Sequence, residues 1–232
     1  MEEMPKIKTG ILTFDEFSGG LPLNAIYLIT GGPGTGKTIF GCMYAYFGAL
    51  KFNEKSMIIT TLDSRDHIVR YMKTFGWDLE KLEQKGLLIM KDLSKIPAAE
   101  DFGSSILFNR LMEAVVEAED DVDKVERIVL DSATSVISLY TDPIRARRDM
   151  IQLINLLRRT NATTLITNEV LSSVHQIEEY LVDGVIKLAI IPKSDDFIRV
   201  LQISKLRGSE HPMRQIQYKI TENGIELSRP TL

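Results

Sequence analysis

Gly31-Gly32-Pro33-Gly34-Thr35-Gly36-Lys37-Thr38 fits the pattern G-x-x-x-x-G-K-[ST] at every fixed position. Glycines let a backbone fold tightly enough for successive N–H groups to point inward at a polyphosphate. In this pattern the lysine supplies charge to the β- and γ-phosphates, and the Ser/Thr hydroxyl ligates Mg²⁺. The flanking sequence supplies the context such a motif needs. Ala25-Ile26-Tyr27-Leu28-Ile29-Thr30 reads as a buried strand entering the loop, and Lys37 to about Leu50 reads as an apolar helix leaving it. The helix N-terminus adds partial positive charge at the same place. The run Gly32, Pro33, Gly34, Thr35, Gly36, Lys37, Thr38 and Ile39 is therefore expected to hold a nucleoside triphosphate, ATP with Mg²⁺, with Thr38 on the metal.

A length of 232 residues suits one large α/β domain, and no low-complexity linker or internal repeat divides residues 1–232. The chain is 44% hydrophobic and 26% charged, a balance that supports a packed core under a solvated surface. A net charge of −4 argues against a dedicated nucleic-acid-coating surface, though not against a local basic patch. Cys42 is the sole cysteine, so no intrachain disulfide is possible, and a core thiol in a reducing compartment is the expectation. No apolar run approaches the roughly 20 residues needed to span a bilayer. Met1-Glu2-Glu3-Met4-Pro5 lacks the basic start and apolar block of a signal peptide. A cytoplasmic chain is expected.

The order of elements indicates the fold. Asp15, Gly19, Gly20 and Pro22 mark turns before the first core strand. Further buried strands are read at Met57–Thr61, Leu87–Met90, Arg127–Asp131 and Thr163–Thr167. Between them lie helices: one capped by Ser64 and carrying Ile68, Val69 and Met72, one over about Ser104–Ala118, and one from Pro143 to about Arg159. Trp77 reads as buried packing, and the acidic run Glu117–Asp123 as a solvated helix end. Alternating strands and helices imply a mostly parallel twisted sheet covered on both faces. From Val185 the rhythm changes to strand-like runs at Val185–Ile191, Phe197–Leu206 and Gln215–Ile220, joined by turn-rich pieces such as Lys193-Ser194-Asp195-Asp196. These form an antiparallel extension at one sheet edge.

Asp131 ends a parallel strand expected to neighbour the one entering the loop, where a carboxylate points into the crevice that open α/β sheets use for ligands. The metal role for Asp131 is favoured over a turn cap. Asp63, after the Met57–Thr61 strand, is either the base that orients attacking water or a cap for the next helix. Lys205 and Arg207 share one face of a strand end, with His211 shortly after. They are either a solvated edge or cations that reach a γ-phosphate on another subunit.

Taken together, several blocks resemble the KaiC-like proteins of the RecA superfamily. Thr9-Gly10-Ile11, Phe14-Asp15 and Gly19-Gly20-Leu21-Pro22 precede the phosphate loop in that order. Phe75-Gly76-Trp77-Asp78-Leu79, Asp131-Ser132-Ala133-Thr134-Ser135 and Lys205-Leu206-Arg207-Gly208 follow it, so the likeness runs from about Thr9 to Leu227. Archaeal single-domain KaiC-like proteins and RadA paralogues are the most similar in size and layout. The resemblance implies a RecA-like ATPase core that forms rings, commonly hexamers, with ATP between subunits. It implies that Lys205, Arg207 and His211 face a neighbour's γ-phosphate, and that Glu169 stands where a polar side chain senses that phosphate. The family usually carries two adjacent glutamates that activate water, whereas this chain has Leu62-Asp63. Asp is one methylene shorter than Glu, and a displacement of about 1 Å costs on the order of 10²-fold in rate. Slow turnover with intact binding is expected.

The leading function is a nucleotide-gated oligomeric regulatory module with an unidentified protein partner. The alternative is a recombination accessory that grips single-stranded DNA through loops after the Asp131 and Thr167 strands. Arg145, Arg147 and Arg148 would serve the first loop, unless they are simply a solvated helix face. The second, Val170–Tyr180, offers Glu178, Glu179 and only His175 as a cation, so DNA is the less favoured partner. Autophosphorylation at Ser172 or Ser173 is a third, weaker idea.

Overall fold

The computed structural model describes residues 4–96, 103–121, 124–169, 177–194, 196–211 and 213–228. Ser172, Ser173 and His175 lie outside the described residues, as does the side chain of Glu178. In chain order the first elements are β1 (Lys6–Ile7), α1 (Leu12–Ser18), β2 (Leu21–Pro22), β3 (Ile26–Gly31), α2 (Lys37–Phe52), β4 (Ser56–Thr60) and α3 (Arg65–Lys73). Then come α4 (Leu79–Gln84), β5 (Leu88–Asp92), α5 (Gly103–Asp120), β6 (Arg127–Asp131), α6 (Ala133–Ile137) and α7 (Pro143–Arg159). The last are β7 (Thr163–Glu169), α8 (Ile177–Leu181), β8 (Gly184–Lys193), β9 (Asp196–Leu206), β10 (Ile216–Thr221) and β11 (Gly224–Leu227).

Nine of the described strands form one sheet in the order β11-β10-β9-β8-β3-β7-β6-β4-β5, and β1 pairs with β2 separately. The strands from β8 to β5 run parallel, and β9 and β11 run against them. Two apolar layers cover the faces: α2 with Phe40, Tyr44 and Ala45 on one side, and α5 and α7 with Leu111, Val115, Leu153 and Leu157 on the other. This is the mostly parallel sheet with an antiparallel edge that the sequence implies.

Local chemistry accounts for most boundaries. Ser64 accepts from His67 N at 3.3 Å and so starts α3, whose buried residues are Ile68, Val69 and Met72. Asp142 caps α7, with Pro143 fixing the backbone of its first turn. Trp77 packs between Phe75 and Tyr46 at ring distances of 5.0 Å and 5.8 Å, as expected of a core residue. The Cys42 thiol is buried, and burial pushes its pKa well up.

Some expectations need correction. The segment read as turns before the first core strand, β3, contains α1 and β2, and Asp15 sits in that helix. Its carboxylate accepts from Thr9 N at 2.8 Å and Gly10 N at 3.0 Å, so a residue typical of turns ties a helix to the chain before it. A short helix, α4, also goes unread in the sequence: Asp78 accepts from Lys81 N at 3.1 Å and caps it. The edge extension begins with β8, but β8 itself lies parallel to β3, so the antiparallel part starts at β9. β6 is also not adjacent to β3, because β7 runs between them.

Arg127 fills the start of β6 with its side chain fully buried. It pairs with Glu54, donates Nη1 to Tyr44 O at 3.0 Å, and stacks its guanidinium 4.4 Å from the Tyr44 ring centroid. A Cβ added at Gly48 would sit 2.1 Å from Arg127 Nε. An alanine in a helix interior normally gains about 1 kcal/mol over glycine. Here the guanidinium cannot retreat without unpairing a buried charge, so Gly48→Ala should instead lower stability by about 1–3 kcal/mol. Urea unfolding checks this; a raised midpoint would mean that Arg127 gives way.

Candidate functional site

Most carbonyls of the loop between β3 and α2 are taken by the protein's own donors. Lys37 Nζ donates to Gly31 O at 2.9 Å and Gly32 O at 3.1 Å, and Thr35 Oγ1 to Gly32 O at 2.8 Å. Arg199 Nε reaches Gly34 O at 3.1 Å, Tyr218 OH reaches Thr35 O at 2.5 Å, and Phe40 N bonds Gly36 O at 2.9 Å. In each plane a held C=O fixes the opposite direction of the N–H it shares, which sets the amides of Gly32, Thr35, Gly36 and Lys37. The first N–H groups of α2 add to them, since a helix's first turn has no internal acceptors. Gly36 makes the junction at φ 89°, and a Cβ there would lie 3.0 Å from Ile220 Cδ1. Only glycine combines that angle with that contact.

These N–H groups open onto a cleft of about 380 Å³ bordered by Pro33, Lys37, Thr38, Asp63, Asp131 and Glu169. Gly34, Gly36 and Ile39 also line it, whereas Gly32 and Thr35 hold the loop's shape from behind. Asp131 is buried, and burial pushes its pKa up; hydroxyl bonds from Thr167 and Thr38 and the charge of Lys37 oppose that, while Asp63 adds to it. Burial pulls Lys37 down, opposed by Glu169 and Asp131. Glu169 Oε1 stands 4.0 Å from Lys37 Nζ, and its backbone N donates to Thr134 Oγ1 at 2.7 Å. Asp63 does not cap α3, because Ser64 holds that position; its carboxylate meets His67 Nδ1 at 3.3 Å instead. The Asp131–Ser132 peptide is cis, and Ser132 N donates to Thr61 Oγ1 at 2.9 Å.

The other expected cations lie elsewhere. Lys205 is level with Val185 on β8, which is level with Leu28, about 10 Å along the strand from Gly31. Its Nζ donates to Glu179 O at 2.9 Å and Val182 O at 2.6 Å, and burial lowers its pKa. Arg207 and Arg158 both face Asp183 Oδ1 at 3.4 Å. His211 Nδ1 lies 3.3 Å from Ser209 O, while its Nε2 is buried without a partner. None of the three lines the cleft of its own chain. Thr167, Tyr218 and Arg199 were not singled out in the sequence. A polar strand end, Thr167-Asn168-Glu169, hinted at the first; nothing local hinted at the other two.

Fold and site together define a RecA-like α/β protein with a phosphate-loop motif at the carboxyl ends of its parallel strands. Residues 7–231 match the family described as "ATPase: KaiC", and the chain belongs to that family. It is 31% identical over 232 residues to the circadian clock oscillator protein KaiC of Synechococcus elongatus, covering 97% of this chain and 44% of that protein. The KaiC of Parathermosynechococcus lividus is 32% identical, with 97% and 42% covered. The chain thus spans less than half the length of these relatives. A KaiC-like protein of the hyperthermophilic archaeon Pyrococcus horikoshii OT3 superposes with a TM-score of 0.84 at 29% identity, covering 97% of this chain and 99% of that one.

A raised carboxyl pKa means that the folded surroundings disfavour the charge relative to the unfolded chain. Asp131→Asn should therefore raise the thermal midpoint of the nucleotide-free protein at neutral pH while weakening Mg²⁺-dependent nucleotide binding. Scanning calorimetry and titration calorimetry test the two halves; a lowered midpoint would contradict the burial argument.

Proposed function

We propose that this chain binds ATP with Mg²⁺ as one RecA-like domain over residues 1–232, hydrolyses it slowly, and assembles around it. The observation that carries this reading is the convergence of Lys37, Thr38 and Asp131 on one cleft beside a loop whose carbonyls are mostly held by the protein's own donors. The residues present suit the metal: a hydroxyl and a buried carboxylate are hard oxygen donors, and Mg²⁺ commonly takes one or two carboxylates plus phosphate oxygens. Thr38 and Asp131 would hold it, and it would offset charge on the phosphates. Lys37 would exchange its bonds to Gly31 and Gly32 for phosphate oxygens, and the amides from Gly34 to Ile39 would grip the chain of phosphates. Glu169, beside Lys37, is suited to sense whether a γ-phosphate is present, because the anion competes for the same ammonium.

Slow turnover follows from the base. Leu62 is 67% exposed and carries no proton acceptor, so water activation falls to Asp63, which sits on a half-exposed turn. Lys205, Arg207 and His211 cannot reach their own cleft, which favours action on a neighbouring copy, in a ring such as a hexamer. Reaching outward would require Lys205 to leave the carbonyls of Glu179 and Val182. The biological reading is a nucleotide-gated regulatory module acting on a protein partner. A DNA-repair role ranks second. Arg145 and Arg148 flank the buried Asp149 at 3.8 Å and 3.6 Å, so a carboxylate already offsets part of that basic face. No helix among the described residues is long and apolar enough to cross a membrane.

ATP–Mg²⁺ should increase the mass seen by light scattering, and Lys37→Ala should abolish both binding and the increase. Mixing Lys37→Ala with the Lys205→Ala/Arg207→Ala variant should restore part of the ATPase activity that each lacks alone, because intact half-sites meet at mixed interfaces. An unchanged mass, with no recovery on mixing, would refute action between copies. Turnover at about 10 s⁻¹, the median for enzymes, would refute slow hydrolysis.

A further inference from the structure

Among the described residues three carboxylates border the cleft: Asp63, Asp131 and Glu169. Asp131 is held by Thr38 and Thr167, and Glu169 faces Lys37. Asp63 is bonded instead to an imidazole, that of His67 at 3.3 Å. The pairing is built into the turn that follows β4. Thr60 Oγ1 donates to Asp63 O at 2.5 Å, which folds the chain back at the strand end. Ser64 then caps α3 through His67 N, placing His67 one helical turn after Asp63. One turn further on, Tyr71 lies against the His67 ring with centroids 4.5 Å apart. The imidazole thus has one face supported and Nδ1 directed at Asp63 Oδ1.

We infer that His67 is a positioning residue for water activation, its Nδ1–H fixing the Asp63 carboxylate so that the second oxygen receives the proton. This rests on the ATP-hydrolysis reading above and deepens it. As the water oxygen bonds to the γ-phosphorus, the bond from phosphorus to the β–γ bridging oxygen breaks. The water proton passes to Asp63 and on to solvent, and ADP and phosphate leave. A carboxylate on a half-exposed turn samples several rotamers, and small displacements of a base are costly to rate. The hydrogen bond to His67 narrows that range.

The test uses the full chain and single-turnover hydrolysis with protein in excess, alongside ATP affinity by calorimetry and a thermal melt for each variant. His67→Ala should slow hydrolysis about tenfold, a smaller loss than full misplacement of a base brings, with ATP affinity unchanged. His67→Asn should recover most of the rate, because its amide nitrogen stands near the place of Nδ1. In an Asp63→Asn background His67→Ala should have no further effect, since coupled residues are non-additive. A readout free of turnover is capture of ADP–Mg²⁺ with aluminium fluoride: His67→Ala should weaken capture while leaving ADP binding intact. The inference is overturned if His67→Ala keeps both rate and capture, if its effect adds fully to that of Asp63→Asn, or if a folded His67→Asn is as slow as His67→Ala. A wild-type protein without affinity for ATP would overturn this inference and the underlying reading together.

Discussion

The site depends on which way the peptide planes between Gly31 and Lys37 face. A polyphosphate is attracted by N–H groups and repelled by carbonyls, and each plane but Gly32–Pro33, whose proline nitrogen has no hydrogen, carries one of each on opposite sides. Fixing the carbonyls therefore fixes the amides. Two of the anchors are local, Lys37 and Thr35, and close on the loop itself. Two are distant, Arg199 on β9 and Tyr218 on β10. The distant pair sits at the antiparallel edge, so the edge extension acts as a brace for the loop as well as a cover for the sheet.

Magnitudes separate orientation from stability in that brace. A hydrogen bond such as that from Tyr218 to Thr35 contributes about 0.5–1.5 kcal/mol net. Burying an apolar side chain of comparable size contributes about 1.5–3 kcal/mol. Packing therefore carries the energy and the hydroxyl sets direction. The packing is continuous: Ile220 and Ile225 lie against Gly36, and Gly224 sits in a space closed by Trp77 and Met43. Trp77 is thus a core residue with a bearing on function, because it backs the hairpin that backs the loop.

Local information was enough for much of this. The phosphate loop, the Ser64 and Pro143 helix starts and the strand ending at Asp131 are each written in adjacent residues, and caps and periodicity act within a turn or two. What escaped was set by contacts between distant segments. Asp15 reads as a turn residue unless one knows that its carboxylate returns to Thr9 and Gly10. Arg127 reads only as the first residue of a buried strand, and nothing adjacent shows that Glu54 and the Tyr44 ring let its charge be buried. Tyr218 and Arg199 belong to an alternating strand pattern that shows which face they occupy but not that the phosphate loop lies beneath it. The parallel pairing of β8 with β3 was likewise hidden, because a strand's neighbours depend on the crossover before it.

One chain also separates two sets of charges that the proposed chemistry would bring together. The cleft lies at the carboxyl ends of the parallel strands, whereas Lys205 and Arg207 lie toward the opposite end of β9. There each already has a structural task, Lys205 on the carbonyls of Glu179 and Val182, and Arg207 on Asp183. Asp183 in turn accepts from Ile26 N at 3.0 Å, the first residue of the strand that leads to the phosphate loop. A cation drawn outward by a neighbour's phosphates would give up protein acceptors at the base of β3. Part of the attraction would then offset those lost bonds, and only the remainder would hold two copies together. Nucleotide-dependent assembly of the proposed kind would be weaker than the charge alone suggests and for that reason easier to reverse, as the proposed gated module would require.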